Sequence, residues 1–333
     1  MVGLISSADS SSISGVHIRS CHNVQNEEHL DTTLVVDASG RGSRTPSWLT
    51  SLGYPAVEET LVKIGVGYAT RIYRRPSTFS SDWKAMAIYP WPLDTKRLGY
   101  IFPIERNVWM VTLSGCLYDH PSADEVDFLA FAHSLSRPNI YETIKDAEPL
   151  SSISLHKFPM SRRRHYERLS RMPDGLVVLG DAACSFNPIY GQGMTVAALE
   201  ASMLRDCLQQ HLNSYAADDI TGFSHRFQKS LASVVEVPWL FAASEDFRYP
   251  DAQGKRPFGI RAFQGYTQRV CCLTARDPFV AQSFYEVLNM LKPPTALFHP
   301  RIFFPALLTH QSVTGQKAWP FSSAKIKQQN KRI

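Results

Sequence analysis

Residues 175–201 read GLVVLGDAACSFNPIYGQGMTVAALEA. Leu176 to Leu179 is a short, wholly apolar run, as expected of a strand buried on both faces. It carries Gly180 and Asp181 to its carboxyl end, where open α/β sheets bind ligands. Asp181 can accept there from ribose hydroxyls, or hold the loop in shape. The loop Pro188-Ile189-Tyr190-Gly191-Gln192-Gly193 then opens into a helical pattern running from Met194 to about Leu212. Glycines at 191 and 193 let the backbone approach a ligand closely, and a helix N-terminus offers unpaired N–H groups to phosphate or to a polar ring edge. Taken alone, a G-x-G at this place is equally a tight strand-to-helix turn.

Upstream, residues 34–44 read LVVDASGRGSR: an apolar strand ends in Asp37 and enters a turn holding Gly40, Ser43 and Arg44. Alone, this is a strand-end turn with a solvated arginine. Between the two strings lie 130 residues with a largely strand-like pattern: residues 61–73 (LVKIGVGYATRIY), 86–89, 98–102, 109–113 and 151–158, broken by Pro- and Gly-bearing turns. A helix is predicted after Ser122, with Ser122 as its cap and Glu125 at the capping-box position. From Phe223 the pattern is helical, interrupted by Pro238, Pro250, Pro257 and the pair Pro293-Pro294. The order predicts an α/β fold: residues 1–45 and 171–212 as parts of a nucleotide-binding domain, 46–170 as an inserted β-sheet domain, and 213–333 as a helical C-terminal region.

The composition is that of a globular chain. With 44% hydrophobic and 20% charged residues it is neither a disordered segment nor a coiled coil. The net charge of +5 is mild and concentrated in residues 325–332 (KIKQQNKR), which argues against nucleic-acid binding. The six cysteines show no C-x-x-C spacing, no H-E-x-x-H occurs, and no metal site is predicted. No apolar stretch reaches the ~18 residues of a spanning helix, and residues 1–15 lack a secretory pattern, so the expected location is cytoplasmic. His133, His156, His165, His211 and His225 have no metal spacing and no triad partner in sequence, and no G-x-S-x-G elbow is present.

The string 175–201 resembles the FAD-dependent, aromatic-hydroxylase-like monooxygenases and the related epoxidases and reductases. In that family a Gly-Asp motif contacts the ribityl chain and pyrophosphate, and a Pro…Gly-x-Gly loop passes the isoalloxazine ring. The resemblance implies Gly180, Asp181, Pro188, Gly191, Gln192, Gly193 and Met194 as cofactor-binding residues. Residues 34–44 resemble the family's Asp-Gly motif behind the pyrophosphate, with Ala-Ser-Gly where Asp-Gly is commonest, which implies Asp37, Gly40 and Arg44. Trp48-Leu49, Tyr54-Pro55, residues 68–71 and residues 162–169 (RRRHYERL) resemble polyether-type epoxidases and polyprenyl-phenol hydroxylases, less specifically.

What the resemblance implies is an NAD(P)H-driven, FAD-dependent monooxygenase that uses O2 to hydroxylate or epoxidise an apolar or aromatic small molecule. A flavin-dependent polyprenyl reductase, or a fragment that binds no flavin, are the rival expectations. Trp83, Trp91, Trp109 and Trp239 are expected in core packing, with a pocket over the flavin as the alternative. One family element is missing. The leading strand with G-x-G-x-x-G, which holds the ADP half of FAD, has no counterpart here. The expected fold is therefore an incomplete Rossmann-like FAD domain, as if roughly the first 100 residues were absent, and the chain by itself is expected to bind FAD weakly or not at all.

Overall fold

The computed structural model describes residues 2–20, 27–77, 79, 83–89, 95–216 and 219–308. They form two compact units, Met1–Lys255 and Arg256–Ile333.

In the first unit, β1 (Gly3–Ser6), β2 (Ile13–Arg19) and β3 (Glu27–Asp31) form a small antiparallel sheet. The Ser-rich stretch 6–14 makes the turn between β1 and β2. Asp9 organises it by accepting from Ser7 Oγ at 2.7 Å, Ser11 Oγ at 2.8 Å and Ser11 N at 3.0 Å. Those donors hold its carboxyl down at about 2. β4 (Val35–Asp37) then leads through a 3-10 turn, Gly40–Gly42, into α1 (Thr45–Ser51).

The main sheet follows, made of β5 (Glu59–Arg74), β6 (Met86–Ile88), β7 (Arg97–Ile104), β8 (Val108–Gly115) and β9 (Ser154–Arg164). Its order is β9-β5-β8-β7-β6, every pair antiparallel. Period-2 alternation divides its residues between two faces. One face carries Ala69, Tyr73, Ile101, Trp109, Val111 and Leu113 into a core closed by α2 (Glu125–His133) and α3 (Asn139–Ile144). Trp109 is fully buried there with Trp83 stacked on it, so these two tryptophans pack the core. Trp91 lies outside the described residues. The helix expected after Ser122 is present, but its cap is Asp124, whose Oδ1 accepts from Val126 N and Asp127 N. Ser122 instead accepts from Asp124 N, because the chain is still extended at Asp124 (φ −74°, ψ 140°).

After the sheet, β10 (Leu176–Val178) pairs in parallel with β4, Val178 standing opposite Asp37. β10 is wholly buried, as its unbroken apolar run requires. A short strand β11 (Cys184–Ser185) joins the main sheet beside β9, and two helices complete the layer, α4 (Gly193–Leu212) and α5 (Phe223–Asp246). Pro238 does not break the helical pattern: it lies buried inside a continuous α5. Two α5 side chains satisfy the free edge of β10. Ser224 Oγ accepts from Leu176 N at 3.2 Å, and Gln228 Nε2 donates to Val178 O at 2.9 Å. Trp239 on α5 is buried. β12 (Gln253–Gly254) closes the unit on the other end of β5.

The second unit holds α6 (Ile260–Thr274), α7 (Pro278–Leu288) and α8 (Pro300–Leu308). α6 packs on both of the others. Asp277 caps α7 through Phe279 N at 2.8 Å, and Tyr266 stacks on Phe298 with 5.0 Å between ring centroids.

Candidate functional site

The parallel pairing of β4 with β10 brings together two strings that lie far apart in sequence. Leu179 N donates to Asp37 O at 3.1 Å, and the turn Gly40–Gly42 packs on the turn Gly180–Ala182. Arg164 at the end of β9 ties both turns, donating from Nη1 to Ala182 O at 2.7 Å and from Nη2 to Arg41 O at 3.5 Å. Its guanidinium is almost wholly buried and paired with Glu59 at 3.0 Å.

Asp37 is buried, and its carboxylate is fully engaged within the turn. Oδ1 accepts from Ser39 N at 2.9 Å and Ser39 Oγ at 2.5 Å; Oδ2 accepts from Ser43 Oγ at 2.5 Å and Thr45 Oγ1 at 2.5 Å. Burial alone would raise its pKa, but these donors outweigh it and the carboxyl sits below its usual range. Asp181 is the opposite case. Its side chain is reachable from solvent and no described residue donates a hydrogen bond to it. Protein packed on one side raises its pKa, with the Arg41 guanidinium opposing.

Arg41, not Arg44, is the cation nearest this carboxylate. It donates to Met160 O at 3.0 Å and lies 4.0 Å over the ring of Phe158. Arg44 is exposed and stands 5.6 Å from the Trp48 ring. The sequence marks both arginines alike, and only the turn between them separates their directions.

The glycines divide into two groups. A Cβ on Gly67, Gly99 or Gly115 would strike the protein itself, at 2.4, 2.8 and 1.8 Å. A Cβ on Gly40, Gly180, Gly191 or Gly193 would meet nothing within 4 Å. Gly180 (φ 63°) and Gly191 (φ 65°) need glycine for their left-handed backbone. Gly193 does not: it opens α4 with helical geometry and open space around it, so nothing in the chain's own packing asks for a glycine there. Met194 beside it is 88% exposed. Pro188 begins the 3-10 turn Pro188–Tyr190, and Gln192 is buried just before α4.

The other face of the main sheet lies against this loop. Tyr68, Thr70, Tyr100, Phe102 and Thr112 share it, set there by the β5–β8–β7 register. Tyr68 Oη donates to Asn187 Oδ1 at 2.8 Å and Tyr100 Oη to Ile189 O at 3.4 Å; Tyr100 stacks on Phe102 and Thr70 bonds Thr112.

Two buried carboxyls support the glycine-bearing turns, Glu200 at Gly180 and Asp246 at the loop. Glu200 on α4 accepts from Gly180 N through Oε2. Its Oε1 is buried with no partner among the described residues, and burial pushes its pKa up to about 7. Asp246 at the end of α5 accepts from Tyr190 Oη at 2.6 Å and from Asn187 Nδ2 at 3.2 Å, and burial raises it to about 7 as well. Glu200 follows Gly193 by seven residues, two helical turns, and that spacing could have marked it; nothing local marks Asp246. His165 has partners its sequence neighbourhood hides: Thr60 Oγ1 lies 2.7 Å from Nε2 and Glu167 2.8 Å from Nδ1. The imidazole is buried, and the group clamps the end of β9 to β5.

Comparison with known proteins bears on the fold. The squalene epoxidase family model matches residues 115–242, from the end of β8 into α5. Protein Rv3254 of Mycobacterium tuberculosis is 33% identical over 270 residues, covering 80% of this chain and 55% of that protein. The flavin-dependent halogenase chlA of Dictyostelium discoideum is 27% identical over 229 residues, 62% of this chain and 35% of its own length. The chain thus spans about half or less of these curated relatives. Among solved structures, a flavoprotein/dehydrogenase from Cytophaga hutchinsonii superposes with TM-score 0.59 at 16% identity, over 88% of this chain and 64% of that one. OxyS anhydrotetracycline hydroxylase from Streptomyces rimosus gives 0.51 at 17% identity, over 90% of this chain and 53% of that one. The chain has the fold of the FAD-dependent monooxygenases. Among its described residues no helix is long and apolar enough to cross a membrane.

Proposed function

We propose that this chain supplies the flavin-ring side and the substrate-side sheet of an FAD-dependent monooxygenase that acts on an aromatic or apolar small molecule. The observation that carries the reading is the open glycine face beside an unengaged carboxylate. A side chain would meet open space at Gly180, which precedes Asp181, and at Gly191 and Gly193 in the following loop, and Gly193 has no other reason to be glycine. These residues suit FAD. Asp181 can accept from a hydroxyl of the ribityl chain, and Arg41 can offset pyrophosphate charge. The N-terminus of α4 presents unpaired N–H groups to the ring edge. Asp37 takes part indirectly, by folding the turn that carries Arg41.

When bound, FAD supplies the redox chemistry, taking reducing equivalents from NAD(P)H and activating O2. The chain's residues bind and orient. The face of Tyr68, Thr70, Tyr100, Phe102 and Thr112, its hydroxyls held by Asn187, Ile189 and one another, offers a fixed aromatic surface to an aromatic substrate, while the loop at 188–193 shields one side from water. No acid–base pair is required for this role.

The test is titration of the chain with riboflavin, FMN and FAD, followed by fluorescence quenching. Binding weaker than about 1 μM is expected, since no G-x-G-x-x-G is present to hold the adenosine. FMN and FAD should then differ by less than about threefold, a gap of under 1 kcal/mol, because the adenosine has no site of its own. No quenching by any flavin at millimolar concentration overturns the reading. With flavin bound, NADPH oxidation matched by O2 uptake in the presence of aromatic substrates distinguishes monooxygenation from reduction.

A further inference from the structure

Beneath the loop at 188–193 lies a hydrogen-bonded network assembled from four separate elements. At its centre is Asp246, fully buried at the end of α5. Its Oδ1 accepts from Tyr190 Oη at 2.6 Å and Asn187 Nδ2 at 3.2 Å; its Oδ2 accepts from Ser161 Oγ of β9 at 3.5 Å. Asn187 is itself doubly used: its Oδ1 accepts from Tyr68 Oη of β5 and, at 3.3 Å, from Ile189 N, capping the 3-10 turn. No ion pair with a described Lys, Arg or His accompanies Asp246. Packing alone does not explain a carboxyl here, because burying one without a cation is unfavourable and an apolar side chain would fill the space as well. What the carboxyl does achieve is specific. Of its three donors, Tyr190 belongs to the loop and Asn187 immediately precedes it, one on each side of Pro188.

We propose that Asp246 is a positioning residue for the 188–193 loop. From α5 it pins Asn187 and Tyr190, and so fixes where Gly191 and Gly193 stand over the Tyr68–Tyr100 face. The proposal deepens the flavin reading and rests on it for its purpose, but not for its test. The groups that face Asp246 are the phenols of Tyr190, Tyr68 and Tyr249, the thiol of Cys116 and the neighbouring Glu245. Burial raises the phenols and the thiol, which keeps them protonated at neutral pH and leaves Tyr190 as a hydrogen-bond donor.

The experiment is hydrogen–deuterium exchange of the flavin-free protein, reading amides 189–193 against those of β5 and β8, together with flavin titration. Tyr190→Phe, which removes one hydrogen bond to Asp246, should speed loop exchange about tenfold relative to the sheet, and Asp246→Ala, which removes three, by at least as much. Asp246→Asn keeps an oxygen for Tyr190 and should recover most of the protection. The double variant Tyr190→Phe/Asp246→Ala should exchange no faster than Asp246→Ala alone, because the two groups act through one contact. Unchanged loop exchange in Tyr190→Phe overturns the proposal, as does an Asp246→Asn variant no better protected than Asp246→Ala. If Asp246→Ala does not fold, Tyr190→Phe and Asp246→Asn still decide. If loop exchange responds as expected but the parent protein binds no flavin, the positioning role stands and the flavin reading falls.

Discussion

Asp37 ends β4, Asp181 lies in the turn three residues past Val178, the register partner of Asp37 on the neighbouring parallel strand β10, and the two carboxylates do opposite things. Asp37 accepts four hydrogen bonds from residues 39–45 and is buried. Asp181 is reachable from solvent and receives no hydrogen bond from a described residue. Both sit where an α/β sheet is expected to meet a ligand. Position at a strand end therefore says where chemistry can happen, and only the surrounding donors say which carboxylate is available for it. The turn around Asp37 makes a rigid support; the turn around Asp181 offers a surface.

The largest effect that can break this comparison is on stability. Asp37→Ala would leave the hydroxyls of Ser39, Ser43 and Thr45 and the amide of Ser39 without their acceptor. At ~1–3 kcal/mol for each buried group left unsatisfied, a loss of about 3 kcal/mol or more is expected in chemical denaturation. Asp181→Ala should stay within about 0.5 kcal/mol of the parent, as exposed substitutions do. Equal losses from the two would show that the contrast is wrong.

Next in size is a pair of loop variants. Gly193→Val should leave the fold intact, because a side chain there meets nothing, yet lower flavin affinity by roughly 100-fold, about 2.7 kcal/mol, by filling the open volume. Gly191→Val should also destabilise the protein by about 1–2 kcal/mol, since its φ of 65° strains a branched residue. A Gly193→Val protein with normal flavin affinity would place the ring elsewhere. Smaller again is Asp181→Asn, which keeps the shape and removes the charge. A roughly tenfold weaker flavin affinity with unchanged stability is expected from one lost charge-assisted hydrogen bond.

These differences mark what sequence can convey. β10 and α4 are legible because an unbroken apolar run and a 3.6-residue pattern are local signals. The pairing of β4 with β10 is legible only through the order of the two glycine-rich strings. The occupied state of Asp37 is not legible, since Ser39, Ser43 and Thr45 converge on it only once the 3-10 turn has formed. Asp246 is harder still: it lies over 50 residues beyond Asn187 and Tyr190, on a helix whose local pattern says nothing of a loop. β1 and β3 escape notice because the first is four residues long and the second, Glu27–Asp31, is exposed along its length, without the alternation that announces a half-buried strand. Trp109 reads correctly as core because size and apolarity are reason enough.

The finest distinction lies in pH. Asp37 has a depressed pKa in the folded state, so the stability it contributes is present above the unfolded carboxylate value and is lost as pH falls through its folded value. Glu200 has the opposite sign. With a folded pKa of about 7 against an unfolded value of about 4.3, its contribution is complete below the unfolded value and is lost as pH rises toward 7. Glu200→Gln should remove that loss. The amide oxygen can still accept from Gly180 N, while the amide nitrogen replaces Oε1 at a position with no described partner, much as the protonated acid would. Near pH 5 the variant should therefore match the parent or fall slightly below it. Near pH 8 it should gain on the parent by about 1 kcal/mol, an effect limited by relaxation around the ionised group. Denaturation curves at the two pH values measure the difference directly. A variant that runs parallel to the parent across this range would mean that Glu200 is ionised throughout.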